Sequence, residues 1–397
     1  IVEAKEKTGG RMNTINHPRS EKPVELGAEF VHGNLPLTLQ LFEKAGIKKI
    51  KTGGQIWQQK NGQLQQQNDF IEDYKDLKKK FKLVDADISV EGFMLHYLTD
   101  DKYRDLRFSL KNYVQGYYAG DIKKASTYAL FKELATGEEV NYRVAGSYQL
   151  LANYLESECR NKGVMFYLGE DVNEISWTSS GVEVLTANQK VSGKKIIVTV
   201  SIGVLQSENI RFSPALPQKM EAVKQLGFGH VVKIIFQFSE AFWKHAKNTW
   251  EKDLSKLSFL FSEQTIPTWW TQHPENEAIL VGWLGGPPTE GYKASGKEEL
   301  VQKSLASLAA IFTISPGDLQ KKFKGAQWYN WSHDVHFCGA YSYNVVGGET
   351  LIKEMLEPVE NTIYFAGEGL QYSNETGTVE AALISGRDVA QQLIANF

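Results

Sequence analysis

The chain has 397 residues and a formal net charge of −3 at pH 7, with 44 Lys and Arg against 47 Asp and Glu, so no basic excess marks it for nucleic acid. Hydrophobic residues make up 42% and aromatics 12% of it, enough for two or three domains' worth of core. The 2 cysteines, Cys159 and Cys338, exclude a disulfide framework and have no metal-ligand spacing, which suits a reducing, cytoplasmic compartment; no metal site is expected, and no apolar run reaches membrane-span length.

In chain order, Ile1-Val2 reads as the end of a strand that runs into Glu3 and a loop closing on Gly9-Gly10-Arg11. Helical periodicity covers Leu37 to Ala45, with Gly46 as C-cap. From about Phe70 to Leu134 the chain is charged, aromatic and helical in period, and Lys78-Lys79-Lys80 form a solvated face there. Ser147 is placed to cap the helix of "SYQLLANYLESECR". Short strands follow in "VMFYL", "VNEISW", "GVEVLT" and "KKIIVTV", then a short helix in "PQKMEAVKQL". A long strand, "HVVKIIFQF", opens a β-rich stretch with "SFLFS", "IPTWWT" and "AILVGWL". Residues 297–312 are helical, and the end reads strand, glycine turn, helix. β/α character at the start, middle and end brackets two blocks of other character, which predicts two discontinuous domains.

Several stretches carry candidate chemistry, each beside a plainer reading. Glu3, at a strand end, is either a ribose-binding acid of a dinucleotide fold or a carboxylate in solvent. The phosphate loop of such a fold belongs upstream of Ile1, and "GFGHVV" leads into a strand and cannot replace it. Gly9-Gly10-Arg11 is a pyrophosphate contact or a simple turn. "VELGAEFVHG" places Glu29 and His32 between glycines, with His32 a functional group or a satisfied core residue. Strand alternation puts Val232, Ile234, Phe236 and Phe238 on one face and Lys233 on the other with Val231, Ile235 and Gln237. Lys233 there needs water, a partner or a cavity, unless it snorkels from an edge strand. "YNWSHDVHFCGAYSY" is an aromatic wall for a flat cofactor or an amine, or ordinary packing. Gly367-Glu368-Gly369 turns into a helix near Thr378, whose N-terminus suits a pyrophosphate or an electron-rich ring edge.

In register over the whole chain, these segments resemble the FAD-dependent amine oxidases: monoamine, polyamine and spermine oxidases and lysine-specific histone demethylases. "IVEAKEKTGGRMNT", "VELGAEFVHG", "GEDVNEI", "VTVSIGVLQSENIRFSPALPQKMEAVKQLGFG", "VVKIIFQFSEAFW" and "YFAGEGLQ…GTVEAALISG" each match a family segment. The resemblance implies an α/β fold: a Rossmann-like FAD-binding domain lacking its first strand, loop and helix (1–53, 141–226, 358–397), and an α+β substrate domain with a mixed sheet (54–140, 227–357).

The implied cofactor is FAD, bound noncovalently because Ala340 stands where monoamine oxidases carry the attachment cysteine. Glu3 would bind its ribose, Gly10 and Arg11 its pyrophosphate, and Val172 its adenine through the backbone. Gly367, Glu368, Thr378 and Val379 would meet the ribityl-phosphate and flavin, Trp331 would pack on the flavin, and Lys233 would hold a water against its N5. Tyr341 matches one wall of the family's aromatic cage, and Thr378 replaces the opposite tyrosine, as in spermine oxidases and histone demethylases. His32 matches a histidine of polyamine oxidases and is the candidate for substrate deprotonation, with Glu29 beside it at the substrate. The implied reaction is hydride transfer from a small-molecule amine of polyamine type, imine hydrolysis, and reoxidation by O2 to H2O2. Alternatives are an L-amino-acid oxidase or carotenoid-desaturase type of flavoenzyme, or a flavin-free homologue that only binds.

Overall fold

A computed structural model describes residues 1–395 apart from 17–21, 72, 136–139, 245–251, 293–295 and 372–374. Val, Ile and Phe fill every position of the strand Val231–Phe238 except Lys233 and Gln237, a composition suited to a strand covered on both faces. It lies inside a seven-stranded sheet ordered Phe323–Asn330, Val231–Phe238, Ile279–Gly285, Thr268–Thr271, Leu257–Phe261, Gln55–Lys60, Gln63–Gln67. Neighbours are antiparallel except Leu257–Phe261 beside Gln55–Lys60.

The expected alternation holds. Val232, Ile234, Phe236 and Phe238 pack with Trp269 and Leu280 against Leu305, Leu308, Ile311 and Phe312 of the helix Lys297–Phe312. Ile235, on the Lys233 side, packs with Trp270, Val281, Val24 and Leu26. Ile15, Val24, Leu26 and Phe30 therefore cover the face that carries the lysine, and this positions the site.

Two short parallel ladders join distant parts of the chain: Val2–Glu3 with Tyr167–Leu168, and Ile196–Val198 with Ile363–Phe365. Parallel pairing requires crossovers, which the intervening segments supply. The strands expected in "VMFYL" and "KKIIVTV" are these shorter pieces. The helical stretch is present as Tyr74–Phe81, Val90–Tyr97, Arg104–Asn112 and Thr127–Leu134, with a π turn at Tyr113–Tyr117. Ser89 and Ser126 cap two of its helices, accepting from Gly92 and Ala129 N–H.

Ser147 does not cap as expected. The next helix is Gln149–Asn161, its side-chain cap is absent, and the Tyr148 N–H donates to Glu25 at 2.8 Å. A tertiary carboxylate has displaced the local hydroxyl.

The helix Pro36–Ala45 begins on Pro, one residue before the expected Leu37, and ends on the expected C-cap Gly46 at φ +66°. Its N-terminus has no cap of its own. Glu380, 0% exposed on the C-terminal helix Val379–Ala395, accepts from Leu37 N (2.9 Å), Thr38 N (2.7 Å) and Thr38 Oγ1 (2.6 Å). A carboxylate against free N–H groups and the positive end of the dipole clamps the two helices together. Glu380→Ala is expected to destabilise the fold by about 1–3 kcal/mol, because buried donors lose their acceptor. Thermal unfolding checks this, and an unchanged midpoint would refute the clamp.

Candidate active site

Lys233 is 0% exposed, a position that costs several kcal/mol for an unpaired ammonium. It is paired: Nζ lies 2.8 Å from Glu29 Oε2 and donates to the Gly27 carbonyl at 3.3 Å. The other Glu29 oxygen accepts from Arg143 Nε and Trp270 Nε1, both at 3.0 Å. Burial alone pushes the Glu29 carboxyl up, but the charges of Lys233 and Arg143 outweigh it and hold the group below the usual carboxylate range. Arg143 Nη1 and Nη2 donate to the His273 and Thr271 carbonyls at 2.8 and 2.9 Å. The ammonium also faces the indoles of Trp270 (5.4 Å) and Trp283 (6.0 Å). Of the two readings open in the sequence, the internal, partnered lysine is the one found.

Tyr341 and His32 meet on Tyr117. The Tyr341 hydroxyl donates to the Tyr117 carbonyl at 2.7 Å, and the His32 ring stands edge-on to the Tyr117 ring at 5.3 Å. Trp283 stacks on Tyr341 at 6.4 Å, so the lysine layer and the tyrosine–histidine layer share an indole. Gly377, beside Thr378, has a Cβ position 3.1 Å from the Tyr341 ring. The Thr378 hydroxyl itself caps the last helix, donating to the Glu375 carbonyl (2.6 Å) and accepting from Ala381 N (3.1 Å).

His32 Nδ1 is 2.9 Å from Asn141 Oδ1. An amide oxygen only accepts, so Nδ1 carries the proton and Nε2 is the basic nitrogen. Burial lowers the imidazole's affinity for a second proton, against the opposing effect of that hydrogen bond. The folded state thus favours neutral His32, and the associated stability is present above the unfolded value of about 6.5 and lost as pH falls below it. His32→Gln is expected to flatten the fall of the unfolding midpoint between about pH 7 and 5.5, and an unaltered slope in that range would refute it.

A second constellation joins residues far apart in sequence. Arg11 Nη1 donates to Glu368 Oε1 at 2.6 Å and to the Ala340 carbonyl at 2.8 Å. Glu368 also accepts from Ser342 N and Oγ. Gly10 lies beside Phe337, which packs edge-on to buried Trp331 at 5.2 Å; the Trp331 indole donates to the Leu26 carbonyl at 3.3 Å. Gly367 has φ +151°, its N–H donates to Ser385 Oγ at 3.0 Å, and among the described residues a Cβ there would meet nothing within 4 Å. Glu3 ends its strand with its carboxylate accepting Lys5 N at 2.8 Å; burial pushes that carboxyl up. Val172 opens the strand Val172–Thr178, two residues after Glu170, whose N–H donates to the Glu3 carbonyl at 2.9 Å. Arg11 has guanidinium N–H groups beyond the one bonded to Glu368 and Ala340, and the 17-residue helix Val379–Ala395 turns the positive end of its dipole toward its start; an anionic cofactor such as FAD suits both, while the Gly367 and Ala381 N–H groups are held by Ser385 and Thr378.

Sequence reasoning missed Trp270, Trp283, Tyr117, Arg143 and Asn141. Trp283 faces Lys233 as its direct cross-strand partner, and Arg143 sits opposite Phe30 in another ladder. No local signal encodes such registers. The π turn that carries Tyr117, a feature that recurs at functional sites, is visible only in the structure. Among the described residues, no group of His, Cys, Asp and Glu could hold a metal ion, and no helix is long and apolar enough to cross a membrane.

A family model for flavin-containing amine oxidoreductases matches residues 1–394. Polyamine oxidase 2 of Arabidopsis thaliana is 27% identical over 425 residues, covering 98% of this chain and 82% of that protein. Lysine-specific histone demethylase 1 homolog 3 of Arabidopsis thaliana is 29% identical over 250 residues, covering 59% of this chain. The chain spans 15%, 27% and 35% of the length of three plant histone demethylase homologues that it matches. A putrescine oxidase mutant made to redesign cofactor binding superposes with a TM-score of 0.81 over 100% of this chain and 93% of its own, at 17% identity, which establishes the fold.

Proposed function

The chain belongs to the flavin-containing amine oxidoreductases, and from that premise we propose that it oxidises a polyamine-type amine and delivers the electrons to O2. FAD supplies the two-electron acceptor for the hydride lost from the carbon beside nitrogen, so that one amine, one O2 and one water give one aldehyde, one smaller amine and one H2O2.

Glu3, Gly10, Arg11 and the Val172 backbone hold the nucleotide end of a noncovalently bound cofactor. Gly367, Glu368 and the Thr378-Val379 backbone hold the flavin end, and Trp331 packs on it. His32 takes the proton from the substrate ammonium, because only a neutral nitrogen has a lone pair to assist hydride loss; its depressed basicity keeps it ready near neutral pH. Tyr341 orients the amine against the backbone at Thr378. Lys233 serves the oxygen half-reaction. The domain division, 1–53, 141–226 and 358–397 for the cofactor, 54–140 and 227–357 for the substrate, belongs to this reading. So does a reducing, cytoplasmic setting, which the two free cysteines suit.

The observation that carries it is the meeting of His32 and Tyr341 on Tyr117, one indole away from Lys233. An amino-acid oxidase would need a guanidinium for the substrate carboxylate, and Arg143 gives its donors to Glu29, Thr271 and His273. Purified protein is expected to show a flavin spectrum and to release peroxide with polyamines before aryl monoamines, and none with amino acids. Protein that stays colourless after FAD is added, or that prefers an amino acid, would overturn the reading.

A further inference from the structure

Glu29 stands between Lys233 and Arg143, and the amine chemistry proposed above calls for no carboxylate there. A carboxylate that binds a substrate ammonium must show it an oxygen. Glu29 is 8% exposed, and its two oxygens already accept from Lys233, Arg143 and Trp270. Lysine is a point charge on a flexible stem, so its direction depends on its partners. A single lysine–carboxylate pair would be neutral and would cancel the field that an ammonium offers to oxygen gaining negative charge. Here Arg143 is bonded to the same carboxylate, so Lys233, Glu29 and Arg143 sum to one positive charge, placed against the Trp270 and Trp283 rings; the nearby Glu25 carboxyl also feels Lys233 and Glu29, and burial pushes it toward its neutral form.

We propose that Glu29 is a positioning residue for the oxygen half-reaction: it aims the Lys233 ammonium, Arg143 offsets its charge so that the field survives, and Glu29 does not touch the amine. The role of Glu29 through Lys233 rests on the reading of Lys233 given above; the pairing itself does not. When O2 takes up two electrons and two protons to become H2O2, negative charge gathers on oxygen, and a fixed positive group lowers that barrier.

The test is a cycle of Glu29→Gln, Lys233→Met and the double variant in the full-length holoenzyme. Glu29→Gln is expected to slow reoxidation by at least about tenfold while amine affinity and the reductive half-reaction stay within about twofold. The double variant should be no slower than Lys233→Met alone. A readout independent of turnover accompanies this: Glu29→Gln should lower the unfolding midpoint by roughly 5 °C, and the double variant should recover part of it because the stranded ammonium is gone. Additive slowing, or weakened amine binding in Glu29→Gln, would make Glu29 a substrate contact and overturn the proposal. Reoxidation untouched by Lys233→Met, with the midpoints still coupled, would overturn the reading of Lys233 and reduce Glu29 to a structural partner.

Discussion

Lys233→Met is expected to slow the oxidation of the reduced enzyme by O2 by about 10²–10³-fold, the usual loss when a preorganised charge-stabilising group is removed from a buried site, while reduction by amine changes little. Methionine suits the test because its flexible apolar chain fills the space between Trp270 and Trp283 without strain. Glu29 keeps Arg143 and the Trp270 N–H as partners, so the substitution strands no buried charge. The fold should therefore persist, and any loss can be assigned to chemistry. Stopped flow separates the halves, with anaerobic mixing against amine for reduction and mixing of reduced enzyme with O2 for reoxidation. Equal slowing in both would assign Lys233 to a general structural role.

Gly27→Ala should be among the most damaging single changes, costing more than about 4 kcal/mol. A Cβ at residue 27 would stand 1.8 Å from the Arg11 carbonyl oxygen and 3.2 Å from the Trp331 ring. The two segments are laced by Leu26 N to the Asn13 carbonyl (2.8 Å) and Ala28 N to the Arg11 carbonyl (3.1 Å), so neither can retreat without breaking hydrogen bonds. Residue 27 also supplies the carbonyl that accepts from Lys233. One methyl group would thus disturb the Arg11–Glu368 pair, Trp331 and the lysine together. A lower unfolding midpoint and weaker FAD retention are both expected, and wild-type values for either would mean the loop yields more than its bonding implies.

Local signals were legible where one segment contains its own cause. Proline and glycine punctuate the helix Pro36–Ala45, and period-2 alternation sorts Val231–Phe238 into the two faces found. Arg11 and Glu368 were each singled out beside glycines, yet their mutual bond spans the chain from one end to the other. Ser147 failed as a cap because Glu25, remote in sequence, reaches the helix start first. Thr378 is expected at the substrate from the sequence, and the hydrogen bonds of its hydroxyl to the Glu375 carbonyl and the Ala381 N–H emerge only in the fold.

Element types, glycine-flanked segments and the family resemblance are legible along the chain, because propensity, periodicity and motif order are properties of contiguous residues. That Lys233 is partnered by Glu29 and Arg143 and walled by Trp270 and Trp283, and that His32 and Tyr341 converge on Tyr117, emerges with the packed fold. Those contacts depend on strand register and on how Ile15, Val24, Leu26 and Phe30 cover the sheet. Burial then makes a charge seek its partner across any sequence distance, since in a low-dielectric interior no water stands in for one.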